Sequence, residues 1–215
     1  IVIEHNAVFA NHTGISVMAE NPTLVTQDVI VRHNIVHDQH GYGIVVGSGG
    51  ETGGRLDSGT VRNIQIVHNT LVDNGRSGIW SSGASLEVGS VDDCLIAGNI
   101  VVAPERGAGA GVLLRCRTEP IDFRLHSNLW YAPAGRGTFR WHDGIVHTSL
   151  NAFREATGKG IGGVQRDPLF RILETRDLRL TEASPARDLF SSSTSGSDDA
   201  GALPFTPTPR DDYGR

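Results

Sequence analysis

The chain repeats one pattern of apolar and polar positions. Each copy has apolar residues at alternate positions, then an Asn, then a second short apolar run, and the Asn recurs about every 30 residues. Alternation with a period of two predicts strands that bury one face, and repetition at this interval predicts a solenoid. The copies centre on Asn6, Asn34, Asn69, Asn99 and Asn128.

A third strand is predicted in each coil, after a polar corner. It begins with Gly followed by Ile or Val, at Gly14, Gly43, Gly78 and Gly111. Alternation divides its side chains between the core and the outer surface. The inward set is Ile15, Val17, Ile44, Val46, Ile79, Val112 and Leu114, and the outward set is Ser16, Val45, Trp80, Leu113 and Arg115. Three short strands per coil, with like residues stacked on like, predict a parallel β-helix.

The repeated Asn is expected to hold the corner between the first two strands of each coil. Asn tolerates the left-handed conformation that such a bend needs, and amides one coil apart, at about 4.8 Å, can hydrogen-bond in a ladder. His5, His33 and His68 immediately precede three of these Asn residues. We interpret them as a stacked structural column, because metal ligands have to converge on one point.

These coils resemble the right-handed parallel β-helix proteins, the superfamily that includes pectate lyases, alginate and chondroitin lyases, mannuronan epimerases and phage tailspikes. The resemblance covers residues 1–132 and implies an all-β parallel β-helix there. Further along, the segments SLNAFREATG, RDPLF, RDLRLTEASPARD and DDAGALP resemble the C-terminal module of secreted bacterial members. That likeness implies a helix and closing strands in 133–204, a Pro-rich tail in 205–215, and a secreted or cell-surface protein.

The resemblance also implies where a substrate would lie. In the enzymes of this superfamily a polysaccharide usually follows the outer face of one sheet, which corresponds here to the Gly-Ile strands. On that face Trp80 could stack on a sugar ring or pack beneath a loop. Arg115 and Arg117 could pair with a uronate carboxylate or remain solvated. With His12 at the preceding corner, they form the predicted substrate-binding set.

The corner before this sheet carries the candidate acid and base residues. A lyase or epimerase removes the C5 proton of a uronate, a task that imidazole and phenol suit, and His40 and Tyr42 supply these groups. Arg76, one coil further, would neutralise the substrate carboxylate. The segment HDQHGYG differs from the Asp-Pro-His-Asp signature of the epimerases, and the chain shows no counterpart of the pectate lyase calcium-and-arginine motif.

Asp38 and Asp73 occupy equivalent corner positions in adjacent coils. They could share a proton or a Ca²⁺ ion, which is the one cofactor that the sequence suggests, or they could stabilise their turns through backbone hydrogen bonds. A glycoside hydrolase is a weaker interpretation of the pair. Carboxylates in adjacent coils stand closer than the roughly 6.5–9.5 Å of an inverting enzyme.

Composition narrows the classes of partner. The formal net charge of −5 argues against a nucleic-acid binder, because neutralising phosphates requires a basic face. No apolar run is long enough to suggest a membrane span.

Cys94 and Cys116 approach the same predicted corner, either as a disulfide or as two buried thiols. The opening IVIEHN begins within the repeat, so we expect further coils upstream in a longer chain.

The sequence therefore predicts a carbohydrate-directed protein whose partner is a polysaccharide. If the protein is an enzyme, we expect a polysaccharide lyase or C5-epimerase that acts on a uronate-containing glycan. The alternative is a non-catalytic solenoid that binds carbohydrate or lies at the cell surface.

Overall fold

The computed structural model describes residues 1–48, 59–76, 84–107, 109–190 and 199–203. Trp80, Gly78, Ile79 and the tail 205–215 lie outside these residues. The regular secondary structure of the described chain is mostly β. It forms three stacked sheets whose strands are parallel apart from one edge pair, together with one short helix near the C-terminal end of these sheets. These features confirm the prediction of a mainly β fold with parallel sheets.

The chain visits the three sheets in turn, so that neighbouring strands of each sheet come from successive coils. Sheet A contains β1 (Val2–Glu4), β4 (Val25–Arg32), β7 (Thr60–Val67), β10 (Asp92–Ala97) and β13 (Ile121–His126). Sheet B contains β2 (Ala7–Phe9), β5 (Ile35–His37), β8 (Thr70–Val72), β11 (Ile100–Val102), β14 (Leu129–Tyr131) and β17 (Val164–Gln165). Sheet C contains β3 (Thr13–Val17), β6 (Tyr42–Val46), β9 (Ala84–Val88), β12 (Val112–Cys116), β15 (Thr138–Arg140) and the antiparallel β16 (Val146–His147). Parallel strands in stacked sheets, visited in turn by the chain, suggest a β-helix-like solenoid.

The inward apolar columns pack into one continuous core. Three positions before the repeated Asn, Val31, Ile66 and Ile96 are fully buried, and two positions after it Leu71 and Trp130 are fully buried as well. Burying a side chain of this size contributes roughly 1.5–3 kcal/mol. The core therefore fixes which face of each strand points inward. Cys94 and Cys116 belong to this core as free thiols, and burial raises the pKa of each to about 12.

The repeated Asn side chains form the predicted ladder. Each Asn Nδ2 donates to the Oδ1 of the next Asn in the stack, from Asn6 to Asn34 at 2.9 Å, from Asn34 to Asn69 at 3.0 Å, and from Asn69 to Asn99 at 3.0 Å. In the same way, Asn99 Nδ2 donates to Asn128 Oδ1 at 2.9 Å. The same Oδ1 atoms also accept the backbone N–H of the preceding Asn in the stack. The ladder thus satisfies the polar groups of a corner that lies next to the core.

The left-handed residue at this corner is not the Asn, as the sequence suggested, but the residue before it. His5, His33 and His68 have φ of 57°, 53° and 53°, and Gly98 and Ser127 have 64° and 53°. A left-handed residue other than Gly costs about 1–2 kcal/mol, which the ladder and the core offset. The three His rings stack at centroid distances of 5.3 Å, in agreement with the structural interpretation of this column.

A second and shorter ladder lies at the corner between sheets B and C. The backbone N–H of Asn11 donates to Gln39 Oε1 at 2.8 Å, and that of Gln39 donates to Asn74 Oδ1 at 3.2 Å. Each of these amides again follows a left-handed residue, namely Ala10, Asp38 or Asp73. Asp38 and Asp73 are therefore held by the backbone at equivalent places in adjacent coils.

Two details of sheet C differ from the prediction. The third strand of the coil around Asn69 is β9, which pairs with β6 and β12, whereas the Gly-Ile pattern placed it at Gly78. In β12 an irregularity in the pairing with β15 turns Leu113 into the core and Val112 outward, the reverse of simple alternation. Strict alternation fails there because β12 contains one residue more than its neighbour between paired positions.

The C-terminal segment covers the solenoid in two places. Helix α1 (Leu150–Thr157) has Ser149 as its N-cap and ends at Gly158. Its Leu150 and Phe153 close the last coil by joining the main core. The strands β18 (Phe170–Ile172) and β19 (Asp177–Leu180) form an antiparallel hairpin. They were expected to close the end of the solenoid, but Leu178 and Leu180 pack instead on outward residues of sheet B such as Val102.

The ladder makes a prediction about stability. Replacing Asn99 by Ala should lower the free energy of unfolding by about 2–4 kcal/mol, because the buried carbonyl of Ile66 and the backbone N–H of Asn69 would both lose their partners. The exposed end of the ladder is the matched control, and Asn6→Ala should cost less than about 1 kcal/mol. Chemical denaturation measures both values, and equal losses would contradict a buried ladder.

Candidate functional site

One row of side chains runs in register across the outer face of sheet C. Along the stack it changes from uncharged to charged side chains. Ser16 pairs with Val45, Val45 with Glu87, Glu87 with Arg115, and Arg115 with Arg140. Residues paired on adjacent parallel strands point to the same side of a sheet, one coil apart. The stacking therefore places one acidic side chain, Glu87, and two arginines, Arg115 and Arg140, on neighbouring strands of this face.

Glu87 lies between two arginines. Its Oε1 is 2.7 Å from Arg117 Nε and its Oε2 is 3.3 Å from Arg115 Nη1. The Glu87 side chain is only 6% exposed, and those of Arg115 and Arg117 are 11% and 18% exposed. Burial raises the pKa of Glu87 above its usual value even though both guanidinium groups oppose that change. This is a partly desolvated ion cluster, in which removing one member would leave an uncompensated charge.

Tyr42 joins the same cluster from the strand below Glu87. Its phenol oxygen accepts a hydrogen bond from Arg117 Nη2 at 3.0 Å, across 75 residues of sequence. The Tyr42 ring packs with Val45, Ala84 and Val112 in an apolar cluster on the outer side of the sheet, separate from the main core. A phenol, a carboxylate and two guanidinium groups thus meet beside an apolar patch, and we call Tyr42, Glu87, Arg115 and Arg117 the sheet C cluster.

The structure separates the residues that the sequence grouped as one site. Tyr42, Arg115 and Arg117 come together, whereas Arg76 lies at the corner between sheets B and C. His40 and His12 are exposed at that same corner. His12 Nδ1 is 3.3 Å from Thr13 Oγ1, and its backbone carbonyl accepts from Gly41 at 2.7 Å. Glu87 is the member that sequence reasoning missed.

Arg76 and the two predicted metal ligands belong to a second cluster. Arg176, from the turn of the β18–β19 hairpin, donates through Nη2 to Asp38 Oδ1 at 2.6 Å and to Asp73 Oδ2 at 2.7 Å. Arg76 Nη2 lies 3.0 Å and 2.9 Å from the same two oxygens. His37 Nδ1 is 2.6 Å from Asp38 Oδ2. The two carboxylates are stacked as predicted, and guanidinium groups fill the place where a cation would lie.

The surroundings of Asp38 set its protonation. Burial alone would raise the pKa of Asp38, but hydrogen bonds from Arg176 and His37, together with the charges of Arg176 and Arg76, bring it below its usual value. The carboxylate is therefore the favoured form at neutral pH. Within the described ranges, no group of three or more His, Cys, Asp or Glu residues could hold a metal ion. Ca²⁺ binding by Asp38 and Asp73 stays a prediction, and it would require both arginines to move away.

A cleft of about 640 Å³ opens beside this second cluster. It lies between the solenoid and the turn of the hairpin, and both acidic and basic side chains line it. The charged lining consists of Asp73, Arg76, Glu105, Arg106, Glu174 and Arg176. Because acids and bases are present in equal number, the cleft has no excess of positive charge with which to attract an acidic polymer.

Comparison with known proteins gives one partial similarity. The uncharacterized protein YwoF of Bacillus subtilis (strain 168) is 24% identical to this chain over 188 residues. The aligned region covers 87% of this chain and 38% of YwoF, so the chain spans well under half of that relative. No protein-family model and no solved structure matches the chain. In the part of the chain that the structure describes, no helix has the length and apolar character needed to cross a bilayer.

The second cluster predicts a pH-dependent contribution to stability. Replacing Arg176 by Gln should lower the free energy of unfolding at neutral pH by about 1–2 kcal/mol, because Asp38 and Asp73 lose a shared, partly buried donor. Since the folded protein holds the pKa of Asp38 below its unfolded value, this contribution is present above the unfolded pKa and is lost as the pH falls through the folded one. Parent and variant should therefore converge in acid.

The matched control is Arg179→Gln in the same hairpin. Arg179 pairs with Asp177 within its own strand, and more than half of its side chain is exposed, so its loss should leave stability close to that of the parent at every pH. Urea denaturation at several pH values makes the comparison. A deficit for Arg176→Gln that stays constant into acid would show that the arginine acts by packing and not through its ion pairs.

Proposed function

We propose that this chain is a segment of a right-handed parallel β-helix protein, similar to the pectate lyase superfamily, that acts on a uronate-containing polysaccharide along the outer face of sheet C. The repeated coils, the parallel sheets and the helix that closes the last coil support the assignment of the fold. The sheet C cluster supports the assignment of the ligand. We further propose a secreted or cell-surface location, where such a glycan is met.

The observation that carries the proposal is the contact between Tyr42 and Arg117 beside Glu87. Arginine presents planar donors that match a carboxylate, and the uronate units of an acidic glycan each carry one. The row along sheet C repeats once per coil, at about 4.8 Å, so that an extended chain across the strands would meet successive side chains.

The arrangement suits β-elimination or C5 epimerisation. Both reactions begin when a base removes the C5 proton of a uronate, and an adjacent cation stabilises the negative charge that then spreads onto the carboxylate. We propose Tyr42 as the acid and base at this centre, with Arg117 stabilising charge on the phenol oxygen and on the substrate carboxylate. His40, exposed at the neighbouring corner, is the second proton-transfer candidate. Arg76, predicted to pair with the carboxylate, lies at the corner in ion pairs with Asp38 and Asp73, whereas Arg117 contacts Tyr42 directly.

In elimination, the electron pair of the C5–H bond forms a C4=C5 double bond while the C4–O bond breaks. The departing oxygen takes up a proton, so the reaction needs no further reactant. In epimerisation a proton returns to C5 from the opposite face, and the glycan chain stays intact. The two reactions share their first step and differ in where the second proton goes.

The second candidate function is a non-catalytic, carbohydrate-binding solenoid. One observation favours it: Glu87 already neutralises part of the charge of Arg115 and Arg117, as expected of a cluster that stabilises the sheet. The two functions differ in their products. A lyase releases unsaturated uronates, an epimerase changes the ratio of uronate epimers, and a binding module does neither.

The proposal predicts the effects of two substitutions. Tyr42→Phe and His40→Ala should each lower activity on a uronate polysaccharide by about 100-fold or more, since each removes a proton-transfer group. Both should change the free energy of unfolding by about 1 kcal/mol or less, because the first loses the neutral hydroxyl that accepts from Arg117 and the second is exposed. Ultraviolet absorbance of unsaturated products and analysis of the epimer ratio measure the activity across a panel of uronate polysaccharides.

The matched control is Tyr131→Phe, on the strand β14 of sheet B. It removes the same hydroxyl at a site away from sheet C, so activity should stay at the parent level. Parallel losses of activity and stability in Tyr42→Phe would indicate that the tyrosine is structural. If the parent releases no product and changes no epimer ratio but still binds the glycan, the binding module is the correct function.

A further inference from the structure

We propose that Glu87 is a positioning residue for Tyr42 and that it acts through Arg117. The Glu87 carboxylate fixes the Arg117 guanidinium group against the Tyr42 phenol and neutralises part of its charge, and so sets how readily the phenol gives up its proton. The catalytic consequence rests on the proposed function. The Glu87–Arg117–Tyr42 relay itself can be tested without any substrate.

The relay is a continuous series of hydrogen bonds across three coils. Glu87 lies on β9, Tyr42 lies on β6, and Arg117 directly follows β12. Arg117 Nε is 2.7 Å from Glu87 Oε1, and Arg117 Nη2 donates to the Tyr42 phenol oxygen at 3.0 Å. Nε and Nη2 are donors of one rigid, planar group. The bond to Glu87 therefore fixes the direction from which Nη2 meets the phenol.

The register of sheet C makes Arg117 necessary as the link. Tyr42 pairs with Ala84, and Val45 pairs with Glu87, so the backbone positions of Tyr42 and Glu87 differ by three residues along the strands. Three residues of a strand span roughly 10 Å. The long arginine side chain bridges this separation.

Burial makes the charges of the relay act strongly on one another. The Glu87 side chain is 6% exposed and that of Arg117 is 18% exposed, so solvent screens their interaction only weakly. A positive charge beside a phenol favours its ionised form, and a carboxylate that neutralises this charge has the opposite effect. Arg115 Nη1, 3.3 Å from Glu87 Oε2, competes with Arg117 for the same carboxylate. Glu87 therefore offsets part of the effect of Arg117 on Tyr42.

The other described surroundings of Tyr42 contribute little charge in the pH range where a phenol ionises. Its ring packs on Val45, Ala84, Val112 and Met18, which are apolar. The titratable groups at the preceding corner, His12 and His40, are exposed, and imidazoles are neutral near pH 10, where tyrosine ionises. The relay can therefore be measured through the ionisation of Tyr42.

The test follows this ionisation by NMR. The protein is labelled with ¹³C at the tyrosine ring carbon that bears the hydroxyl, and the Tyr42 signal is assigned by its absence from Tyr42→Phe. Glu87→Gln should lower the pKa of Tyr42 by about 0.5–1, because the charge of Arg117 is no longer offset, and Arg117→Gln should raise it by a similar amount. Loss of packing alone does not predict opposite shifts from two bonded neighbours.

Two further variants complete the comparison. In Arg115→Gln the carboxylate of Glu87 pairs with Arg117 alone, so the pKa of Tyr42 should rise; this variant keeps the ion pair and decides the test if Glu87→Gln does not fold. Glu4→Gln is the matched control, because it removes a carboxylate from a partly exposed pair with Arg32 on sheet A and should leave Tyr42 unchanged. Circular dichroism shows whether each variant stays folded during the titration.

Activity links the relay to catalysis. On a uronate polysaccharide, the limb of the pH–rate profile that Tyr42→Phe abolishes should move to lower pH in Glu87→Gln and to higher pH in Arg117→Gln. A carboxylate that merely stabilised the sheet would lower the rate without moving this limb.

Three results separate this inference from the proposed function. If Glu87→Gln and Arg115→Gln leave the ionisation of Tyr42 unchanged, Glu87 does not act on Tyr42 and the inference is wrong, whatever the activity. If Tyr42 responds as expected but the parent neither converts nor binds any uronate glycan, the relay stands and the proposed function is wrong. If the parent is active and its pH–rate limbs do not follow the ionisation of Tyr42, the positioning role of Glu87 is overturned.

Discussion

In-register stacking of the coils is the constraint on which the rest of the structure depends. The Asn ladder enforces it, since each buried amide can be satisfied only when the next coil presents its own Asn at the same height. The left-handed residue before each Asn turns the chain at a fixed point, and its conformational cost is offset by these bonds and by the apolar columns of the core. A shift of one residue in any strand would turn its apolar face outward and break the ladder at the same time.

The same constraint assembles both clusters of charged residues. Glu87 meets Arg115 because they stand 28 residues apart, one coil in the stack, and Tyr42 reaches Arg117 across two coils. The hairpin that covers sheet B adds Arg176, which is 138 residues from Asp38 and locks the C-terminal segment to the corner. The two clusters differ in how completely their charges are paired. At the corner the acids are matched by arginines, whereas the sheet C row ends in an arginine without an acidic partner among the described residues.

Sequence reasoning reached the features that repeat and missed those that occur once. The apolar columns, the Asn ladder and the His stack each follow from a period that several coils share. The start of β9 was misplaced because the Gly-Ile pattern occurs at Gly78, although the alternation of Leu86 and Val88 around Glu87 was present as a signal. Val112 and Leu113 were exchanged because a single extra residue defeats alternation. Arg176 was missed because only tertiary packing of the hairpin brings it to Asp38 and Asp73.

The central claim is that the outer face of sheet C, and not the corner cleft, receives an acidic glycan. The most direct measurement is a crystal structure of the protein with a bound uronate oligosaccharide. The account predicts sugar density across β6, β9 and β12, with a carboxylate against Arg117 and a ring near Tyr42. Density confined to the cleft lined by Arg76, Arg106 and Arg176, or a sheet C face left without sugar at saturating ligand, would contradict it.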